Sequence, residues 1–484
     1  MSDRPDATGP RPSETGAQLG VPIGSVVRLN RRTRVSDGGR ALIGGAPIRV
    51  LYLKPAAAEL FEGRDLRVRD RPSQVLADRL VDAGIADPVV ETLPEGDLSE
   101  VTYVIPVRDR PESLDRLLGA LGAGASVIVV DDASRDVDRQ RAVVERHGAR
   151  FLPLPENVGP AEARNAGLRE VTTEFVAFVD SDVVAHPDAV ATLIRHFADP
   201  RVALVAPRVR GLVDDDGRGA NWIGRYEEAR SSLDLGDGPA IVRQRATVSW
   251  VSSTFLVGRV ALLEAGFTAG MRVGEDVDLV WNLADRGLRV RYEPAAAVFH
   301  EHRTTTGAWL ARKAFYGTGA HPLAVRHPYD IAPAVLAPWS AAVVAALLAQ
   351  RRWSVPVALG ISAFTAWRLS RKLGRSEHPL RVAAGLTANG LVASLVQATA
   401  LLLRHWWPAV LVGCLFSARL RRAVVVAHLV DVAIEQVRTR ARLDPVRFGL
   451  ARRLDDLAYG AGVWVSAVRG RSWRALLPDV RRQR

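Results

Sequence analysis

Four short apolar runs, VTYVIPV, SVIVVDD, ARFLPLP and FVAFVDSD, follow one another from Val101 onward, separated by stretches that read as helices, such as ESLDRLLGAL and AEARNAGLREV. This alternation restricts the fold more than any other feature. A strand that is apolar at nearly every position is buried on both faces, and strands spaced by helices are joined by crossovers. The pattern therefore predicts an α/β unit built on a Rossmann-like parallel sheet. In such sheets ligands bind beyond the carboxyl ends of the strands. The runs end in polar residues, two of them in acids, so the chemistry is expected at those ends.

The rest of the chain divides around this unit. Residues 1–20 are rich in Pro, Gly, Ser and charge and read as a disordered tail without the apolar segment of a secretory signal. Residues 21–92 combine short extended runs around Gly38-Gly39 and Gly44-Gly45 with a helical pattern at Leu76, Leu80 and Val81. They suggest a small winged-helix-like module or an elaboration that only packs on its neighbour. After the linker 93–97 the α/β unit occupies 98–330.

Beyond Asp330 the composition changes. Ala332–Gln350 and Val382–Leu403 are uncharged over 19 and 22 residues, with shorter uncharged runs at Trp353–Trp367 and His405–Ala418. The two longer runs approach the length of a membrane span, and the shorter ones suit re-entrant or interfacial segments. A soluble Ala-rich helical region is the alternative. Charge follows the same division: residues 331–484 carry 23 Lys and Arg against 7 Asp and Glu, whereas residues 1–330 sum to −4. The net +12 of the whole chain is therefore no nucleic-acid signature. The Arg-rich tail 419–484, with Trp464 and Trp473, suits an anionic leaflet. A single cysteine, Cys414, excludes a disulfide framework and multi-cysteine metal clusters.

Four stretches hold the candidate chemistry. Asp131 and Asp132 end a strand and would either meet a ligand or, through Asp132 or Ser134, cap a helix. Asp180-Ser181-Asp182 follows the run FVAFV, where alternate carboxylates suit a hard cation such as Mg²⁺ or Mn²⁺. Glu275-Asp276 opens an amphipathic helix, where acids serve the macrodipole or act as a general base. His300 and His302 share one face of an extended segment, and one of them, preferably His300, could join Asp182 at a metal.

Taken in order, VIPV, VDDAS, NVGPAEARNAG, DSD, GEDVDL and VFH resemble the family-2 glycosyltransferases of the GT-A fold over roughly residues 101–319. The resemblance implies that Asp132 recognises the uracil of a UDP-sugar, with Pro106, Asp131, Arg164, Asp180 and Ser181 also on the donor. It implies that Asp180 and Asp182 form a D-x-D that binds a divalent metal on the diphosphate, a site His300 could complete, and that Asp276 is the catalytic base. Glu275 and Trp250 are assigned to the acceptor. The family usually has Thr-Tyr-Asn after the proline, whereas this chain has Val107, Arg108 and Asp109, so Arg108 would replace the stacking tyrosine. The implied reaction is an inverting, in-line transfer to an acceptor hydroxyl.

The run RRTRVSDGG…RVLYLKPAAAELFEG…RPSQVLADRLVDAGIADP resembles the small winged-helix peptide-binding domains of ribosomal-peptide maturation systems, and such a module at 21–92 followed by a GT-A domain and an Arg-rich hydrophobic C-terminus is similar to the mycofactocin glycosyltransferase family. That likeness implies repeated β-1,4 addition of glucose from UDP-glucose to a peptide-derived redox carrier, by an enzyme at the cell membrane with its catalytic domain on the cytoplasmic side. The competing readings are an envelope polysaccharide or glycolipid glycosyltransferase and a catalytically inactive, peptide-binding membrane scaffold. Oligomeric state is left open by these motifs.

Overall fold

The computed structural model describes residues 20–122, 124–212, 221–301 and 305–481. Its centre is a nine-stranded sheet. The four apolar runs form Val101–Val107, Ser126–Asp131, Arg150–Pro153 and Phe175–Val179, which lie side by side and parallel with Val101–Val107 inside. Alternate residues of that strand feed opposite faces. Tyr103, Ile105 and Val107 join one apolar cluster, while Val104 joins the other. Burying each such side chain contributes about 1.5–3 kcal/mol, which is why nearly every position is apolar.

The second half of the sheet departs from the expected parallel pattern. Phe255–Arg259 pairs antiparallel with Phe175–Val179, and Val202–Gly211 pairs antiparallel with Phe255–Arg259 but parallel with Arg289–His300. The chain reaches Phe255 through an excursion across the 221–254 region, not through a single crossover helix, so nothing forces that pair to be parallel. At the far edge Val183–Val184 pairs antiparallel with Arg289–His300, with Val183 opposite His300. This register brings Asp182 beside His300.

Residues 20–92 form a β-rich unit with a four-stranded sheet, a three-stranded sheet and the helix Arg71–Asp82, started by an Asp70–Ser73 capping box. Val27, Leu42, Leu66, Ala77, Leu80 and Ile85 fill its core. It docks on the central sheet through charge: Arg289 and Arg291, both buried in strand Arg289–His300, pair with Asp78 and Asp82 and with Asp87, each at 2.8 Å. The same unit meets the C-terminal helices, where Ile43 packs with Leu373, Val382 and Ala383. Of the tail expected at residues 1–20, residues 1–19 lie outside the described residues.

The C-terminal region is helical, but the 19-residue run Ala332–Gln350 is not one span. Val335–Leu336 pairs with Asp479–Val480, and a helix begins only at Pro338, where proline's missing N–H costs nothing. Pro338–Ala349 is 12 residues, about 18 Å, too short for a hydrocarbon core of about 30 Å. Among the described residues one continuous helical stretch, Pro379–His405, is long and apolar enough to cross a membrane. The helices Ala418–Thr439 and Pro445–Arg469 complete the region.

Candidate active site

The acids converge at the carboxyl ends of the central strands, but each has distinct partners. Asp131 is fully buried and its Oδ2 accepts from the Ser134 amide at 3.0 Å, while Oδ1 has no hydrogen-bond partner among the described residues. Asp132 accepts from Asn157 Nδ2 and the Val158 amide at 2.7 Å and from the Gly159 amide at 3.0 Å. Its carboxylate therefore holds the turn that starts the helix Pro160–Leu168, the helix that carries Arg164. Pro106 is half-buried in its strand, and Arg108 is exposed beyond it.

Arg164 is buried and donates to Asp180 Oδ1 at 2.5 Å and to Glu275 Oε1 at 3.2 Å. Desolvation alone would weaken its charge, but Asp180 and Glu275 more than compensate and hold it firmly protonated. Ser181 is buried in the intervening turn. Asp182 lies with its Oδ1 3.5 Å from His300 Nε2, and its Oδ2 accepts from Arg110. Burial opposes ionisation there, yet His300 and Arg110 keep the Asp182 carboxyl below its usual range.

Gly274 adopts a left-handed conformation, φ 80°, and turns the chain into the helix Glu275–Asp285. Asp276 Oδ2 accepts from the Ser253 amide at 3.3 Å, and Oδ1 from the Val277 amide at 2.8 Å. Burial, followed by the adjacent Glu275 charge, pushes Asp276 up to about 7 against those amides and Arg164. A carboxylate tuned to neutrality is suited to general-base work. Asp278, two residues on, is fully buried among Thr268, Asn282, Arg326 and His327 and anchors the helix. Trp250 is half-buried in the preceding loop.

Among the described residues no three His, Cys, Asp or Glu side chains form a preformed metal cage. The donors present nevertheless suit Mn²⁺ or Mg²⁺: Asp182 and His300 face each other, and Asp180 is one turn residue away with its carboxylate on Arg164. His302 lies outside the described residues.

Residues 102–244 match the glycosyl transferase family 2 model, and residues 175–428 match that of glycosyl transferase family group 2. Over 477 residues the chain is 42% identical to the pre-mycofactocin glycosyltransferase of Mycobacterium tuberculosis, covering 95% of this chain and 99% of that protein. The chain belongs to the family-2 glycosyltransferases. This glycosyltransferase is also 23% identical over 240 residues to the poly-β-1,6-N-acetyl-D-glucosamine synthase of Staphylococcus aureus, covering 48% of this chain and 57% of that one. Among solved structures it is similar to a mannosyltransferase of Pyrobaculum calidifontis in complex with GDP-mannose and Mn²⁺, at 21% identity and a TM-score of 0.36, over 62% of this chain and 86% of the other.

Two contributors to the candidate site escape the motif reading. Arg110 follows VIPVRD and reaches Asp182 across 72 residues of sequence. Ser253 holds both members of the acid pair, through its amide to Asp276 and its hydroxyl to Glu275 at 3.4 Å. The polar triplet Ser252-Ser253-Thr254 between apolar neighbours was the available signal.

Proposed function

We propose that this glycosyltransferase adds glucose from UDP-glucose, repeatedly and in β-1,4 linkage, to premycofactocin, a peptide-derived redox carrier. The observation that carries this reading is the extent of the 42% identity. It runs through 95% of the chain and so includes the N-terminal unit and the C-terminal helices as well as the catalytic sheet. The reading also places the enzyme at the cell membrane with the catalytic domain on the cytoplasmic side, in keeping with the helix Pro379–His405.

In this reading the donor lies over the strand ends, near Pro106, Arg108, Asp131, Asp132, Arg164 and the Asp180-Ser181-Asp182 turn. The acceptor enters beside Glu275 and Trp250. Asp276, held by the Ser253 and Val277 amides, accepts the acceptor hydroxyl's proton as that oxygen attacks the anomeric carbon from the face opposite the diphosphate. Configuration inverts. Asp182 and His300, with Asp180, would hold a divalent cation, which supplies counter-charge to the departing diphosphate. Arg164 keeps the acid pair and the Asp180 turn at fixed separation.

The test incubates the detergent-solubilised full chain and Mn²⁺ with premycofactocin and, separately, UDP-glucose, UDP-N-acetylglucosamine or GDP-mannose. Mass spectrometry should show a ladder of hexose additions with UDP-glucose. Transfer to a lipid-linked or polysaccharide acceptor, with none to premycofactocin, would replace this reading with that of an envelope glycosyltransferase.

A further inference from the structure

The helix Ala418–Thr439 is inverted relative to a helix packed on a soluble protein. Between Arg422 and Arg438 its charged side chains, Asp431 and Glu435, face inward. Asp431 pairs with Arg452 at 3.2 Å and also with Arg453, and Glu435 pairs with Arg230 at 2.7 Å. Its outward face is a continuous aliphatic stripe of Val425, Val426, Leu429, Val430, Ile434 and Val437. Arg421 and Arg422 precede the stripe, and Arg438 follows it. From Arg422 to Arg438 the helix is about 24 Å long. A contiguous apolar face of this kind requires an apolar neighbour.

A second feature says which neighbour. Arg351, Arg352 and Trp353, at the turn after Pro338–Ala349, line one open cleft with Arg419 and Arg422, and Gln350 Nε2 donates to the Arg419 carbonyl at 2.6 Å. Among the described residues no carboxylate forms an ion pair with Arg351, Arg352, Arg419, Arg421 or Arg422. Apolar side chains continue past this cleft on Trp407–Phe416, where Leu415 and Phe416 are exposed. A second copy of the chain, docked face to face on this patch, would set like charges against each other. Acyl chains flanked by phosphates match both features.

We infer that the outer face of Ala418–Thr439 lies in the bilayer interface and that Arg351, Arg352, Arg419 and Arg422 bind the headgroup phosphates of anionic phospholipid. Guanidinium groups suit this role because their planar donors pair with phosphate oxygens. The inference rests on the membrane reading above and adds a lipid class and a site to it.

The test is flotation of the full chain, diluted out of detergent, with vesicles of phosphatidylcholine alone or of phosphatidylcholine mixed with phosphatidylglycerol. Wild type should float with both and bind the mixed vesicles more tightly. The quadruple variant R351Q/R352Q/R419Q/R422Q alters surface residues and should keep its melting temperature and its binding to neutral vesicles. Its preference for anionic vesicles should fall by roughly fivefold per arginine removed. In Leu429→Glu/Ile434→Glu, binding to both vesicle types should drop. Equal wild-type affinity for the two vesicle types, or an unchanged preference in the quadruple variant, would overturn the anionic-lipid site while leaving the membrane reading intact. Failure to float with either vesicle would overturn both. So would a stable soluble dimer that the Leu429→Glu/Ile434→Glu variant dissolves.

Discussion

Arg164 donates to Glu275 across 3.2 Å, joining two helices whose contacting residues are 111 positions apart. The other arm of the same guanidinium holds Asp180 at 2.5 Å. One buried cation thus sets the spacing between the strand-end turn and the acid pair. Arg164→Met should leave two carboxylates without their counter-charge and cost roughly 3–5 kcal/mol in chemical denaturation. It should also raise the apparent pKa of Asp276, because Arg164 acts to lower it. Arg164→Lys should restore the pH profile more fully than the stability, since it keeps the charge and loses the two-armed geometry.

The pH dependence of transfer should report Asp276. With its carboxyl near 7, Asp276 in the proposed role of base is protonated and inactive in acid, so kcat should rise through neutrality. Asp276→Asn should lower kcat about 10²–10⁴-fold and remove that rise. Glu275→Gln should change mainly acceptor KM. Stability should move in the opposite direction. A raised folded-state pKa means that the folded protein retains a proton the unfolded chain has already released, so wild type loses stability as pH climbs from about 4 to about 7. Asp276→Asn has no such loss and should melt higher than wild type above pH 7, by differential scanning fluorimetry.

Metal removal gives a third check. Chelation should abolish transfer, and added Mn²⁺ should restore it. His300→Gln should shift the Mn²⁺ titration to higher concentration while leaving saturated turnover within about tenfold. Asp182→Asn, which also frees Arg110, should not be rescued by added metal.

Buried ion pairs hold the N-terminal unit to the central sheet, so deleting residues 1–92 would disturb the sheet as well. Such a deletion would strip Arg289 and Arg291 of Asp78, Asp82 and Asp87. Arg289→Met in the intact chain should cost about 3–5 kcal/mol, read as a lower denaturant midpoint, because it strands buried carboxylates. UDP affinity of the folded fraction should be unchanged.

A further constraint links the catalytic domain to the C-terminal helices. At the crossing of the helices Thr306–Gly317 and Pro445–Arg469, a Cβ on Gly462 would lie 1.9 Å from the Ala314 carbonyl oxygen, and one on Gly317 would lie 2.1 Å from that of Tyr459. Gly462→Ala should therefore separate these helices and lower the melting temperature by more than the gain expected from alanine's helix propensity of about 1 kcal/mol.

Much of the catalytic core was legible in the sequence because strand burial and strand-end acids are local properties. The run VTYVIPV announces a strand buried on both faces, VDD and DSD place acids at the ends of the neighbouring strands, and GED places acids at a helix start, before any contact is known. The amphipathic pattern around Val280 and Trp281 likewise predicts the helix that carries Asp276. Tertiary structure alone decided what those acids touch. Asp132 turned to the 157–159 loop, Asp180 to Arg164 and Asp182 to Arg110 and His300, and these partners are set by strand order and register, which composition does not encode. The run Ala332–Gln350 shows the same division. Its hydropathy was visible, but the pairing of Val335–Leu336 with a strand more than 140 residues away cut the helix short. Local pattern fixes how a segment can be buried. Which neighbour buries it, and how far a carboxylate's charge is compensated, depends on long-range contacts formed only when the chain closes on itself.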